Sequence, residues 1–483
     1  MVCADVLKCE TFVERFKDAL HRNALPRDTR SAEMVFWIDH NSISRHRQPL
    51  VCYSGIKSLQ LTHAANVGRI PPIMGRRLTI VFIVASTFLI LALFGGLLWA
   101  NAVFSRQDVG RDDFIAPWMG ARAFLEHGTN PYDEAVAEMT QIAAYGRLAH
   151  KGEDPLRLDL PLFVELLFVP FALIKTYTLA HALWLTVLEF ALAGLGLLNL
   201  FLTGWHPRRV LLVLYLLLML LWVHALLPLA SGHMAILAAL CLVGGLAALR
   251  VEAYEWAGAL FALAAFKLDV SGVFLLFILW WLVYHRRWRL LWGAMMVLAL
   301  LLAVSFMILP GWGLPFLRNI VANVHISPAL TPAELFSAHW PLLGDELGWA
   351  LTIALTIVLS LEWHAVRHKD FRHFLWTVSL TLAVTPLFGV PTEPAGYVFL
   401  ALPLTLVISL AAERWRWPMG GGLLLLIFAG LWAWVWHLSA LNAAAQLRTV
   451  LFFASPVFLL LCLYWVRWWA IRPPRTWLDT IQE

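Results

Sequence analysis

Apolar runs recur along this chain at about 78–104, 178–203, 209–229, 232–250, 255–269, 270–284, 289–309, 346–364, 373–389, 395–412, 420–438 and 449–470. About 20 apolar residues in a helix match the hydrocarbon thickness of a bilayer. In lipid every backbone N–H and C=O must be satisfied internally, so such runs dictate helices. The composition agrees. Of 483 residues, 60% are hydrophobic and only 14% charged, with a mean hydropathy of +0.72. Soluble domains carry about 25% charge, so a soluble enzyme and a disordered chain are both excluded. The expectation is an all-α polytopic membrane protein with about twelve transmembrane helices.

A thirteenth candidate, 160–174, is shorter, contains Pro161, Glu165 and Pro170, and ends at Lys175. The charges decide against its crossing. With twelve crossings one side collects Arg76, Arg77, Arg208, Arg209, Arg250, Arg286, Arg287, Arg289, Arg367, Lys369, Arg372, Arg414, Arg416, Arg467, Arg472 and Arg475. The short loops of the other side then hold only Lys267, Arg318 and Arg448. By the positive-inside rule both termini are cytoplasmic, in a plasma membrane. The formal charge of +5 thus orients the chain and does not point to nucleic acid. The segment 160–174 becomes a re-entrant or surface helix on the outer side, beside protein or a wet cavity.

Residues 1–73 are polar and lack a sustained period, and Met74-Gly75-Arg76-Arg77 reads like a natural start before a spanning helix. They are expected to be an extension, disordered or upstream of the true start. Residues 74–475 form the membrane domain and 476–483 a cytoplasmic tail. Of five cysteines, Cys3, Cys9 and Cys52 lie in the polar extension and Cys241 and Cys462 in apolar runs, so no disulfide framework is expected.

Two outer loops are large. Loop 105–177 is acidic and carries a helix beginning near Pro117, a turn at Asn130-Pro131-Tyr132-Asp133 and a second helix over 134–150. Loop 310–345 is rich in proline and aromatics and reads as a lid or groove wall. Polar groups gather at outer ends of crossings: Asp112 and Asp113, His233, Lys267 with Asp269, and Glu393. A carboxylate there can act as a general base, and Lys or His can meet a phosphate. Together they suit a reaction on a lipid-linked phosphosugar whose tail lies in the bilayer. No Gly-rich phosphate loop, HExxH or CxxC occurs, so no metal or cofactor is expected. Each residue also has an ordinary reading. The Asp pair can cap a helix, His233 can sit at an interface, Lys267 can snorkel or pair with Asp269, and Glu393 and Glu165 can face water.

The order Asp113-Phe114, Trp118, Ala121-Arg122-Ala123, Leu125, Gly128 and Asn130-Pro131-Tyr132-Asp133 resembles the first outer loop of glycosyltransferase family 87. Leu160-Pro161-Leu162-Phe163 through Pro170, Gly232-His233, Lys267-Leu268 and Thr385-Pro386 follow in the family's order, over roughly 106–412. Four features depart from it. Leu160 stands for a tyrosine, His233 for a glutamine and Leu268 for a proline, and a Trp-Asp-His cluster is missing after Pro386.

The resemblance implies a GT-C fold and transfer of a sugar, most simply mannose, from a polyprenyl phosphate to a lipid or glycan hydroxyl. It implies Asp113 as the acid of the first loop, with Asp112 as its substitute. Lys267 and His233 would meet the donor phosphate, with inversion and without a cofactor. Trp118, Arg122, Tyr132, Glu165 and Glu393 would be a possible substrate groove. The alternatives are a catalytically inactive family member, which the departures favour, and a transporter or flippase of lipid-linked sugars. A transporter is expected to show inverted repeats and polar groups near the midplane, whereas here the polar groups gather at one face.

Overall fold

The computed structural model describes residues 72–106, 112–150, 153–324, 331–389, 392–414, 430–439, 441 and 444–471. The extension before residue 72, the tail 476–483 and much of the run at 420–438 lie outside the described residues. No strand occurs among the described residues. They fall into two units, residues 72–93 and residues 94–471, and helix α1 (Pro72–Phe104) runs through the boundary. In the first unit Val81, Val84, Phe88 and Leu89 are all exposed, the sleeve of a helix made for lipid.

In the second unit α2 (Ile115–His127) and α3 (Glu134–Tyr145) lie in the first loop. Each ends at a glycine in the left-handed region, Gly128 and Gly146. The segment after Pro161 is broken as its prolines require: α4 (Leu162–Glu165), a 3-10 turn over Leu166–Phe168, and α5 (Val169–Ala172). Then come α6 (Tyr177–Thr203), α7 (Arg209–Leu221), α8 (Val223–Ala230), α9 (Ala235–Arg250), α10 (Tyr254–Ala264), α11 (Leu268–Tyr284) and α12 (Trp288–Ile308). The second loop carries α13 (Gly313–Val324) and α14 (Pro332–His339), and α14 starts in a capping box between Thr331 and Glu334. The chain ends in α15 (Gly344–Ala365), α16 (Phe371–Val384), a 3-10 stretch Pro394–Leu400 leading into α17 (Ala401–Arg414), and α18 (Ala444–Ile471).

Among the described residues six segments are long and apolar enough to cross a membrane: Thr87–Phe104, Tyr177–Thr203, Trp288–Ile308, Gly344–His368, Pro394–Arg414 and Thr449–Trp468. A seventh arises if α7 and α8, bent by 52° at Trp222, count as one span. The other runs fold as shorter helices. α9 has 16 residues, α10 has 11, α11 has 17 and α16 has 14.

α16 and α17 are enclosed on all sides almost throughout, the mark of a central helix, and their threonines and serines are buried with the apolar residues. α10 and α12 touch backbone to backbone through two glycines. A Cβ on Gly258 would overlap the carbonyl of Leu290, and one on Gly293 would overlap the carbonyl of Glu255. Small residues at such contacts let helices approach in lipid, where the hydrophobic drive between them is absent. Gly258→Ala is expected to force the pair apart at a cost of about 1–3 kcal/mol, read as a lower thermal midpoint in detergent. Gly272→Ala, which meets open space, is the control and should leave the midpoint in place.

Candidate functional site

The first loop folds back on the turn between α8 and α9. The Asp113 amide donates to the Ser231 carbonyl at 2.8 Å, and the His233 amide donates to Pro228 at 2.7 Å. Gly232 between them has φ +69°, and a Cβ there would press on Trp184 and Phe114 at 3.3–3.4 Å. The Trp184 indole N–H donates to the Gly232 carbonyl at 2.7 Å. Only glycine suits this position without strain. The turn thereby brings Asp113 and His233 to one spot.

That spot is a cleft of about 840 Å³, counting its space open to solvent, lined by Asp112, Asp113, Asp159, His233, Lys267 and Glu393 among others. Five residues singled out from the sequence, spread over positions 112 to 393, therefore meet in one place. Lys267 sits in the break between α10 and α11, and Glu393 in the loop before the Pro394–Leu400 stretch. The wall opposite is the strip 154–160, including Asp159, with Asn323 from α13. Asn323 holds that strip through the Arg157 carbonyl at 3.3 Å, and Asn319 holds it through Leu158 at 3.0 Å. The second loop thus contributes Asn323 to the cleft, and none of its prolines or aromatics is among the lining residues.

Asp113 and Asp112 are adjacent but differently placed. Asp112 is buried. One oxygen accepts from the amides of Phe114 and Ile115 at 3.1 Å and starts α2. The other accepts from the Tyr177 hydroxyl and lies 3.7 Å from His181 Nε2. Burial raises its pKa, and His181 and those donors oppose the rise. Asp112 is committed to holding the loop against α6. Asp113 opens to the cleft, with protein behind it. Its side chain is exposed on the cleft surface, and the density of protein around it, then the charge of Glu393, push its carboxyl up to about 7, against Ser231 and Lys267. That value suits a general base near neutral pH.

Burial opposes the charge on Lys267, but Asp269, Asp159, Glu393 and Asp113 outweigh it and hold the ammonium above its ordinary pKa. His233 is driven far the other way, by burial and then by Lys267, and is neutral. Its Nδ1 accepts from the Ala235 amide at 3.1 Å, so the proton of the neutral ring is on Nε2. His233 is thus a hydrogen-bond donor and not a second cation.

The remaining groove candidates are not among the residues lining the cleft. The Trp118 indole donates to the Phe171 carbonyl at 3.1 Å, and Arg122 lies over its ring at 4.9 Å while pairing with Glu126 at 2.6 Å. The Tyr132 hydroxyl donates to the Leu160 carbonyl at 2.7 Å. These three staple the loop together. Glu165 is 2% exposed, neither carboxyl oxygen has a hydrogen-bond partner among the described residues, and Oε1 fills the space where Gly120 lacks a Cβ. Asp159 and Asn323 escaped the sequence reading. One carboxylate in an acidic loop carries no local signal, and an asparagine on an amphipathic helix carries none either. Among the described residues no three of His, Cys, Asp and Glu converge so as to hold a metal ion. No protein family, curated protein or solved structure matches the chain.

Proposed function

We propose that the chain is a GT-C-like glycosyltransferase of the plasma membrane, with about twelve crossings and both termini cytoplasmic. It moves a sugar, most simply mannose, from a polyprenyl phosphate to a hydroxyl of a lipid or glycan on the outer face. The observation that carries this reading is the meeting of Asp113, Lys267 and His233 in one open cleft. The resemblance of the loop residues to glycosyltransferase family 87 supports it further. Asp113 takes the proton of the acceptor hydroxyl as its oxygen attacks the sugar's anomeric carbon. The bond to phosphate breaks and the phosphate leaves with the electron pair, inverting the centre. The Lys267 ammonium and the His233 Nε2–H stabilise the departing oxygens.

The test is transfer from polyprenyl-phosphate mannose or glucose by the reconstituted protein, across pH. Asp113 is active only when ionised, so the rate is expected to fall about tenfold per pH unit below its pKa of about 7. Glu393→Gln removes a like charge that raises this pKa, so the acid limb should move to lower pH. A limb that stays put in Glu393→Gln removes Asp113 as the base. No transfer from any such donor by correctly inserted protein would leave the inactive subunit or the transporter.

A further inference from the structure

α13 is amphipathic in an inverted sense. Its asparagine side faces protein, and its outward side is apolar apart from the exposed Arg318, one turn on from Leu314. Asn319 and Asn323, one turn apart, reach the backbone of the cleft wall. Phe316 beside them packs edge-on against Tyr132, with centroids 5.8 Å apart. On the opposite face Leu314, Leu317 and Val321 follow the helical spacing i, i+3, i+7 and are 80%, 57% and 63% exposed. Such a stripe needs an occupant, and the chain just before it indicates which. α12 is apolar enough to cross a membrane and ends at Ile308. Its last turn exposes Met307, at 83%. Only four residues separate the two helices, so α13 begins close to the end of α12.

We infer that α13 lies in the membrane interface with Leu314, Leu317 and Val321 among the acyl chains of the leaflet on the cleft side. Helices with one apolar face seat in this way at the boundary of headgroups and chains. Its asparagines then fasten the 157–159 wall of the cleft to the bilayer surface, where a lipid-linked substrate presents its headgroup. This inference rests on α12 crossing the membrane and not on the transfer chemistry.

The test uses the full chain in phosphatidylcholine nanodiscs, with an environment-sensitive fluorophore on Leu314→Cys, Leu317→Cys or Val321→Cys, in a background without other cysteines. Met307→Cys serves as the lipid reference. All three sites are expected to be quenched by phosphatidylcholine brominated near the top of its acyl chains, and hardly by aqueous iodide. Strong iodide quenching at the three sites overturns the inference in favour of a solvent-exposed stripe. Protection from both quenchers overturns it in favour of a protein partner or a second copy. Loss of the bromolipid signal at Met307→Cys as well rejects the α12 crossing on which it rests. Each outcome is independent of whether sugar is transferred.

Discussion

Asp113→Asn is expected to lower sugar transfer by about 10²–10⁴-fold, the range for loss of a general base, with insertion unchanged. The substitution keeps the side chain's size and removes its charge and its proton affinity. The Asp113 backbone bond to Ser231 is untouched, so the loop keeps its place. Asp112→Asn is the informative contrast. Asp112 serves two amides, a tyrosine hydroxyl and a neighbouring histidine, and lines the cleft only as a wall. Its change should lower thermal stability and leave the turnover of the folded fraction near that of wild type. Turnover per inserted molecule, measured beside the melting curve, separates the two. Wild-type turnover in purified Asp113→Asn would remove this residue from the mechanism.

Lys267→Ala should act twice. It deletes the ammonium whose charge Asp269, Asp159, Glu393 and Asp113 support. A charge-assisted hydrogen bond to phosphate contributes about 1.5–3 kcal/mol, so kcat/KM is expected to fall roughly 10- to 150-fold. The second effect is on protons. Lys267 lowers the pKa of Asp113, so its loss should move the acid limb to higher pH, opposite to Glu393→Gln. Lys267→Arg keeps the charge and should retain more activity and the original limb. A pH profile identical in Lys267→Ala and wild type would mean that the two groups do not sense each other, and the cleft would lose its electrostatic logic.

The apolar runs announced helices, and the helices of the second unit follow them closely. What they could not announce was length in space. The break between α10 and α11 at Lys267 was legible because a charged tripeptide interrupts apolar sequence. That α16 lies enclosed at only 14 residues was not, because enclosure depends on neighbours distant in sequence. The site divides in the same way. His233, Lys267 and Glu393 lie at the ends of apolar runs, and Asp113 lies in the loop after the first run, where polar groups stand out from the sequence. Trp118, Arg122 and Tyr132 also looked functional, since indole, guanidinium and phenol groups make good binding surfaces. Each is committed to a carbonyl, a ring or a carboxylate within the loop, a choice made only when the loop folds. Glu165 sits behind Gly120, and no local pattern marks a carboxyl enclosed by the backbone of another segment.

The turn Ser231-Gly232-His233 has a kinematic consequence. It is pinned at three points, by the Asp113 amide, by the Trp184 indole and by its own bond to Pro228. Asp113 and His233 therefore ride on a common pivot. When the cleft breathes, the carboxylate and the imidazole travel as one body, and the separation between them is the quantity the motion preserves. Lys267 and Glu393 are carried on other segments and are not held to that body by these bonds. Any change in the shape of this cleft therefore alters the distances of the ammonium and the second carboxylate to a fixed pair, and with them the charge around Asp113.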